Sequence, residues 1–286
     1  MLLKKIFDII FAIFLVIITF PFLLFFSIIL LIELKSFPIY IQERGLTLDK
    51  NRFKIFKLRT IKPREKNIVH ETEQDIFLKP GLRDKVTPFS RWLRKTGLDE
   101  LPQVFNVLLG QMCFIGPRPL MIEDLQTMKR IAPDLYERRG KFKSLPGISG
   151  LWQLFGNRSE GIIGMVALES LYDKVASPFF DLKLMTYTTT VILQAKNSDS
   201  IFHVEKANPT RVKTVLDSSS NLKVTLNMPE GIAKFIIENV VKHEGKYTVE
   251  IPQDWWYVSD SYDTQKKKSS EPKILQLKNK SKKNAS

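Results

Sequence analysis

The 286-residue chain carries 44 Lys and Arg against 30 Asp and Glu, a formal net charge of +14. This length allows one sizeable domain with an appendage, and the charge favours a polyanionic partner such as nucleic acid, anionic lipid or a phosphorylated substrate. The single cysteine, Cys113, excludes an internal disulfide framework and a cysteine-based zinc site, and the three histidines are too scattered to form a metal site.

The chain begins with an apolar segment long enough to enter a membrane. From Ile9 to Ile32, 24 residues carry no charge, and only Thr19, Pro21 and Ser27 are not apolar side chains of the usual membrane type. About 20 such residues in a helix reach across ~30 Å of hydrocarbon. The segment is too long for a signal peptide and no small-residue cleavage site follows it, so we predict a membrane-inserted helix over residues 1–36.

Pro21 lies near the middle of this segment and predicts a kink, because proline removes a backbone donor and clashes with the preceding turn. Lysines and arginines flank the segment on both sides, and basic flanks tend to stay on the cytoplasmic side. A re-entrant helix that dips into the membrane and returns would satisfy both flanks. The alternative is an ordinary spanning helix that tolerates its proline.

A strongly basic stretch follows, with nine basic residues and two acids between positions 44 and 66. Residues 52–59 have the alternation of a strand, which places Lys57 and Arg59 on the same face as Phe53 and Ile55. Two cations in line with an apolar face indicate either a bulge or a strand end that lines a polar site. Residues 63–85 are charged and poor in apolar side chains, which predicts a mobile loop.

Two helices are predicted next. Thr87 and Pro88 are typical of a helix start, and Gly97 of a helix end. Asp99 then predicts the N-cap of a second helix, in which apolar residues recur at helical spacing until Gly110 closes it. A short strand over residues 112–115 leads into a turn that its prolines make rigid, Gly116-Pro117-Arg118-Pro119.

The remaining elements divide the chain further. We expect helices around 165–175 and from Asp181, and a change of character near residue 209. Strands at 221–227 and 246–252 with a helix at 231–242 suggest a small α+β appendage over 209–264. The last stretch, 265–286, has eight lysines and one acid, which predicts a disordered tail.

The residues that indicate chemistry are Arg94, Asp99, Glu100 and Arg118. Two adjacent carboxylates suit a site where one attacks a phosphorus atom and the other holds a divalent metal, while arginines bind the phosphate oxygens. Taken alone, Asp followed by Glu is more often ordinary helix punctuation. The arginine between two prolines is harder to explain that way, because its backbone is fixed in a manner that a surface loop rarely needs.

Several ordered blocks resemble the bacterial sugar transferase family, the monotopic polyprenyl-phosphate phosphoglycosyl transferases. They cover about the first 205 residues and lie at 4–8 (KKIFD), 42–45 (QERG), 53–60 (FKIFKLRT), 93–96 (LRKT), 98–119 (LDELPQVFNVLLGQMCFIGPRP), 146–153 (PGISGLWQ) and 181–184 (DLKL).

The resemblance implies an α+β fold: a re-entrant membrane helix, a small, mainly helical cytoplasmic catalytic core over 37–208, and interfacial amphipathic helices. It implies transfer of a sugar phosphate from a nucleotide diphosphosugar, such as a UDP-sugar, to a polyprenyl phosphate at the cytoplasmic face of the bacterial inner membrane. This is the first membrane step of capsule, O-antigen or glycoconjugate assembly. The basic chain would also contact the anionic membrane surface.

The resemblance also implies roles for individual residues. Asp99 matches the family's aspartate nucleophile, and Glu100, together with Asp99, matches the site that binds Mg²⁺. The expected phosphate-binding residues are Arg94, Arg118, Lys57 and Arg59.

The chain departs from the family pattern at three places. Gly97 stands where serine is usual, Phe20 precedes Pro21 where Ser-Pro or a similar pair is usual, and Glu169 stands where an aspartate is expected. The third departure leaves the role of that position open. The family ends near residue 208, so the last 78 residues lie outside the resemblance.

The alternative function is a membrane-tethered basic protein that binds anionic lipid or nucleic acid without catalysis. No RNA-binding type of basic and aromatic patch and no helix-turn-helix stands out, so nucleic acid is not the expected partner. A third possibility, an inactive relative, is disfavoured by the intact Asp99-Glu100 pair. The sequence assigns neither the sugar nor the oligomeric state.

Overall fold

The computed structural model describes residues 2–62, 85–156, 158 and 161–194, and then 213–217, 222–226, 228–229, 231–232, 235–236, 249–251 and 273–275. The chain divides into two compact units, unit 1 (Met1–Ala207) and unit 2 (Asn208–Ser286). The predicted loop at 63–85 lies outside the described residues except for Lys85.

Helix α1 spans Leu2–Leu34 and contains Pro21. It is long and apolar enough to cross a membrane, and most of its large apolar side chains are exposed. Helical structure continues through Pro21, where the missing proline N–H leaves one i→i−4 hydrogen bond unmade. A helix that could enter a membrane is therefore present as expected, while its insertion and its re-entrant course stay predictions.

Unit 1 combines helices with short strands, which agrees with the expected α+β class. After α1 come β1 (Ile39–Gly45), β2 (Phe53–Leu58), α2 (Pro88–Thr96), a 3₁₀ turn (Leu98–Glu100), α3 (Gln103–Leu108), β3 (Cys113–Ile115), β4 (Leu120–Met121), α4 (Ile122–Ile131), α5 (Pro133–Gly140), β5 (Gly147–Ser149), α6 (Leu151–Phe155), α7 (Gly161–Val175) and α8 (Pro178–Leu193).

Two small sheets form the scaffold of the unit. The first has the order β2-β1-β4 and is antiparallel, and the second pairs β3 with β5 in parallel. Gly116, just after β3, and Gly147 in β5 approach so closely that a Cβ on Gly147 would lie 2.1 Å from the Gly116 nitrogen. Only glycine fits this contact, which brings the 116–119 turn against β5.

Helix α2 begins and ends at the capping residues that predicted it. The Thr87 hydroxyl accepts a hydrogen bond from the Ser90 N–H, and Pro88 occupies the first turn. Gly97 ends the helix with φ +76°, a left-handed conformation that glycine adopts without strain. Leu93 is fully buried in a cluster with residues of α1, so α2 packs against α1.

The second helix begins later than predicted. Asp99 does not cap it: residues 98–100 form a 3₁₀ turn, and α3 begins at Gln103 after Pro102. Proline at 102 suits a helix start but cannot donate a hydrogen bond within a continuous helix, which explains the interruption. The end of α3 also differs, since Leu109, expected on the apolar face, is 63% exposed.

The later helices of unit 1 were predicted with partly different boundaries. Helix α7 contains the expected segment 165–175. Helix α8 begins at Pro178, three residues before Asp181, because the Ser177 hydroxyl caps it by accepting from the Phe180 N–H.

In unit 2 the structure describes a four-stranded antiparallel sheet in the order β7-β6-β8-β9. Its strands are β6 (Lys213–Asp217), β7 (Leu222–Leu226), β8 (Val249–Ile251) and β9 (Lys273–Leu275). Strands β7 and β8 lie within the segments predicted as strands. The helix predicted over 231–242 lies largely outside the described residues. The predicted disordered tail does as well, except for β9, whose strand structure differs from that prediction.

Candidate active site

A buried asparagine joins the two elements that carry the site. Asn106, in α3, accepts a hydrogen bond from the Phe56 N–H at 3.0 Å and donates to the Lys54 carbonyl oxygen at 2.7 Å. These two bonds fix strand β2 against the segment that carries Asp99 and Glu100. As a result Lys57, the next strand residue, reaches Glu100: its Nζ lies 2.5 Å from Oε1.

The pair lies in a polar pocket with an excess of positive charge. Its charged lining residues are Arg44, Lys57 and Arg118 against Glu100. The other lining residues are Ile55, Gln103, Pro119, Gly147, Ile148 and Gln153. With three cationic side chains and one carboxylate, the pocket is suited to an anion that brings two or more negative charges.

The charges of the pocket shift one another's pKa values. Burial alone would raise the pKa of Glu100, but Lys57, together with Arg118 and Arg44, holds it below its ordinary value. Burial lowers the pKa of Lys57, and the neighbouring Glu100 opposes that change. Burial and the nearby Arg118 lower the pKa of Arg44 to about 10, so its guanidinium stays charged at neutral pH.

Asp99 lies directly beside this pocket, on the 3₁₀ turn, and is 6% exposed. Its charge acts on Lys57, since it opposes the lowering of that lysine's pKa by burial. The two adjacent carboxylates that the sequence singled out therefore both act on Lys57.

The turn at 116–119 presents Arg118 from a backbone whose polar groups are bonded. The Gly116 N–H donates to the Ser149 carbonyl, and the Pro117 carbonyl accepts from the Gly147 N–H, both at 2.9 Å. A buried ion pair, Arg139 with Glu169, holds Arg118 itself.

In that ion pair Arg139 is fully buried and Glu169 is 1% exposed. Glu169 Oε1 accepts the Arg118 N–H at 2.8 Å, and Arg139 Nη2 donates to the Arg118 carbonyl at 2.5 Å. The position that the sequence left open therefore anchors the backbone of a predicted phosphate-binding residue.

The structure brings together some of the predicted site residues and places others apart. Lys57, Glu100 and Arg118 line one pocket. Arg94 instead donates to the Thr60 hydroxyl at 3.0 Å. Arg59 follows the end of β2, donates to the Phe37 carbonyl and lies over the Tyr40 ring, outside the residues that line the pocket.

Three polar or charged lining residues, Arg44, Gln103 and Gln153, were not predicted as site residues. Arg44 and Gln153 lie in blocks that carry the family resemblance, but no role was read from them, and Gln103 was counted only as part of a helix. Arg44 donates to the Pro119 carbonyl at 3.1 Å, and its Nε is buried without a hydrogen-bond partner, as is Gln153 Oε1. Such atoms are the groups that a bound substrate can satisfy.

The donor set is compatible with magnesium. Mg²⁺ commonly takes one or two carboxylates and completes its shell with water and substrate phosphate, and Asp99 and Glu100 supply two adjacent carboxylates. Among the described residues no group of three or more His, Cys, Asp and Glu could hold a metal. The predicted Mg²⁺ would thus rely on substrate oxygens as well as on the protein.

Comparison with known proteins gives a consistent family. The family described as bacterial sugar transferase matches residues 1–195. A Bacillus subtilis protein called uncharacterized sugar transferase EpsL is 30% identical over 204 residues, which are 71% of this chain and 94% of that protein.

Two relatives have more specific names. The UDP-galactose-lipid carrier transferase of Erwinia amylovora is 33% identical over 55% of this chain and 33% of its own length. The undecaprenyl-phosphate galactose phosphotransferase of Salmonella typhimurium is 38% identical over 43% of this chain and 24% of its own. The chain thus spans a third or less of the length of these two relatives.

Proposed function

The chain belongs to the bacterial sugar transferase family, and from that premise we propose that it is a phosphoglycosyl transferase. It transfers a sugar 1-phosphate from a nucleotide diphosphosugar, a UDP-sugar in the first instance, to a polyprenyl phosphate and releases the nucleoside monophosphate. The names of the two relatives support this reaction, since they act with UDP-galactose and a lipid carrier or with undecaprenyl phosphate.

The observation that carries the proposal is the charge arrangement around Glu100. Three cations, Arg44, Lys57 and Arg118, line a pocket beside the adjacent carboxylates Asp99 and Glu100. The single carboxylate of Glu100 does not neutralise these three cations, and a bound diphosphate would. Arginines can bind the oxygens of a diphosphate with two parallel hydrogen bonds. A surface for anionic lipid alone would not need two carboxylates among its cations.

The reaction proceeds in two steps through Asp99. The Asp99 carboxylate attacks the β-phosphorus of the donor, an aspartyl–phosphorus bond forms, and the phosphoanhydride bond breaks to release the nucleoside monophosphate. An oxygen of polyprenyl phosphate then attacks the same phosphorus. The new phosphoanhydride forms as the Asp99 carboxylate leaves, which regenerates the enzyme.

The surrounding residues orient and neutralise the phosphates. Arg118, on its fixed turn, and Arg44 hold oxygens of the diphosphate, and Lys57 keeps Glu100 ionised and in place. Glu100, with Asp99, would hold magnesium, which would supply positive charge to offset the charge that develops on the leaving phosphate oxygen. Arg94 and Arg59 contact phosphate only if substrate binding draws them from the partners that they have here.

We further propose that α1 is re-entrant, with the catalytic unit on the cytoplasmic face of the inner membrane. Near its start, Lys4 contacts the Ile115 carbonyl, and the Phe11 ring meets Phe114 edge-on at 5.0 Å. Near its end, Glu33 accepts a hydrogen bond from the Thr87 hydroxyl at 2.6 Å. Because both ends of α1 contact the rest of unit 1, a simple span that separates the two ends across a bilayer would break one set of contacts.

The test is release of nucleoside monophosphate from a panel of UDP-sugars with polyprenyl phosphate and Mg²⁺. We expect release with one or a few of the sugars, and none after chelation of the metal. Mass spectrometry of the enzyme with donor but without lipid should show a phosphosugar adduct on the peptide that contains Asp99.

Asp99→Asn is the matched variant, because it keeps the size of the side chain. Its turnover should fall by roughly 10⁴-fold or more, the scale on which loss of a nucleophile acts, and the adduct should be absent. Turnover close to that of the unmodified enzyme would refute the covalent mechanism.

A further inference from the structure

The carbonyl of Ile115 comes immediately before the turn that carries Arg118, and it is bonded from two directions. Tyr172 Oη lies 2.6 Å from this oxygen, and Lys4 Nζ lies 3.3 Å from it. Lys4 belongs to the membrane helix, 111 positions earlier in the chain. The anchor therefore contributes directly to the backbone from which the Arg118 turn begins.

Lys4 is held there by buried acids. Its ammonium bonds to Asp181 Oδ2, and Asp8 Oδ2 lies 3.6 Å away. Asp8 is 4% exposed and Asp181 is 2% exposed. Two buried carboxylates without a neighbouring cation would lower the stability of the fold. The positive charge of Lys4 therefore matters at this position, in addition to the hydrogen bonds that its ammonium donates.

Tyr172 alone cannot donate a hydrogen bond to both the Ile115 carbonyl and Asp181. Its hydroxyl lies 2.6 Å from the Ile115 carbonyl and 2.7 Å from Asp181 Oδ1, yet it has one proton to donate. An ammonium has three donors, so Lys4 can bond to Asp181 and to the Ile115 carbonyl at the same time.

We propose that Lys4 is a positioning residue for the active site: through the Ile115 carbonyl it sets the start of the Gly116–Pro119 turn and hence the placement of Arg118. The membrane helix is then part of the catalytic geometry as well as an anchor. The inference rests on the proposed function, because it assigns Arg118 to the donor phosphates of that reaction.

Lys5 supplies a matched control. It is the adjacent lysine and carries the same charge at the same membrane flank, but its side chain is exposed. Lys4→Met and Lys5→Met therefore change the flank charge equally, and only the first removes the bond to Ile115. Both variants are made in the full chain and purified in detergent.

We expect Lys4→Met to lower kcat/KM for the donor by between about tenfold and a hundredfold, the cost of a displaced substrate-binding group. Lys5→Met should stay within about twofold of the unmodified enzyme. Hydrogen exchange supplies a readout that does not need activity: the amides of Gly116 and Arg118 should exchange faster in Lys4→Met only, while the amides of α7 stay protected.

Tyr172→Phe is the second variant, for use if Lys4→Met does not fold. It removes the other bond to the same carbonyl and should also increase exchange at Gly116. Unchanged exchange and kcat/KM in Lys4→Met, equal losses in both lysine variants, or faster exchange throughout unit 1 would each overturn the proposal. If the unmodified protein releases no nucleoside monophosphate, the proposed function fails, while the exchange measurements still decide the role of Lys4.

Discussion

At the scale of single residues, the turn at 116–119 is a platform whose backbone is bonded at nearly every polar group. Pro117 and Pro119 have no N–H to satisfy, and the bonds to β5, Arg44 and the Arg139–Glu169 pair account for the N–H groups and three of the carbonyls. A binding group on such a backbone is positioned before substrate arrives, so little free energy is lost in ordering it.

Glu169→Gln tests this arrangement. The amide can still accept the Arg118 N–H, but it leaves Arg139 as a buried cation without a carboxylate, which costs about 3–5 kcal/mol of stability. We expect a lower midpoint of thermal unfolding in detergent and reduced donor turnover.

Glu43→Gln is the control for Glu169→Gln, because its partner Arg52 is exposed and such a pair contributes only about 0–1 kcal/mol. Equal effects of the two substitutions on stability would contradict the role given to the buried pair.

Three of the residues that the sequence singled out line one pocket, while their roles in catalysis stay a prediction. Lys57 and Arg118 were recognisable because a cation in line with an apolar strand face or in a rigid turn is unusual, and Glu100 because it follows a second carboxylate, Asp99. Arg44 and Gln153 were not, because their place in the pocket depends on β1 pairing with β4 and on β5 pairing with β3, which bring together segments far apart in sequence.

At the scale of helices and strands, features encoded by neighbouring residues were predicted, and those that depend on contacts between distant segments were not. Helix α2 was predicted with both its ends, since its caps are encoded in Thr87 and Gly97. The helix after Asp99 was placed too early, because Asp and Pro in sequence are compatible with both a helix start and a 3₁₀ turn. The parallel pairing of β3 with β5 could not be predicted, since it depends on the close approach of Gly116 and Gly147.

The prediction at this scale concerns the course of α1. Cys113 is the sole cysteine and is buried, so a cysteine introduced by Leu2→Cys or Tyr40→Cys reports its own exposure. If α1 is re-entrant, a membrane-impermeant thiol reagent applied outside intact cells should label neither position.

Pro21→Leu restores a backbone donor and removes the clash in the preceding turn, which favours a straight helix. The N-terminal site should then become labelled from outside, and the contacts of Lys4 and Phe11 with unit 1 should be lost. Labelling of the Leu2→Cys site in the chain that keeps Pro21 would refute the re-entrant course and leave the proposed enzyme activity untouched.

At the scale of the whole molecule, the region that matches the family nearly coincides with unit 1. Residues 1–195 match the family, and the first compact unit ends at Ala207. EpsL of Bacillus subtilis is aligned with this chain over 94% of its own length, so EpsL consists almost entirely of the region that the two proteins share. We therefore expect the catalytic machinery to lie in unit 1.

Removal of the lysine-rich end tests how far unit 2 contributes. Truncation after Gln265 deletes eight lysines and one acid together with strand β9, which pairs only with β8 among the described strands. Each lysine near an anionic surface contributes about 1 kcal/mol at low salt, and the contribution is screened as salt rises. Turnover in detergent should stay near that of the full chain, while association with vesicles that contain anionic lipid should weaken and lose its dependence on salt.

A second variant that ends after Ala207 separates the tail from the rest of unit 2. If the lysines alone attract the membrane, the two truncations should lose vesicle association equally, because both lack the same eight lysines. A variant in which those lysines are replaced by serine keeps the length of the chain and should behave as the truncations do. Loss of turnover in detergent on truncation after Gln265 would show instead that the end of the chain supports the catalytic unit, since that assay contains no anionic membrane surface.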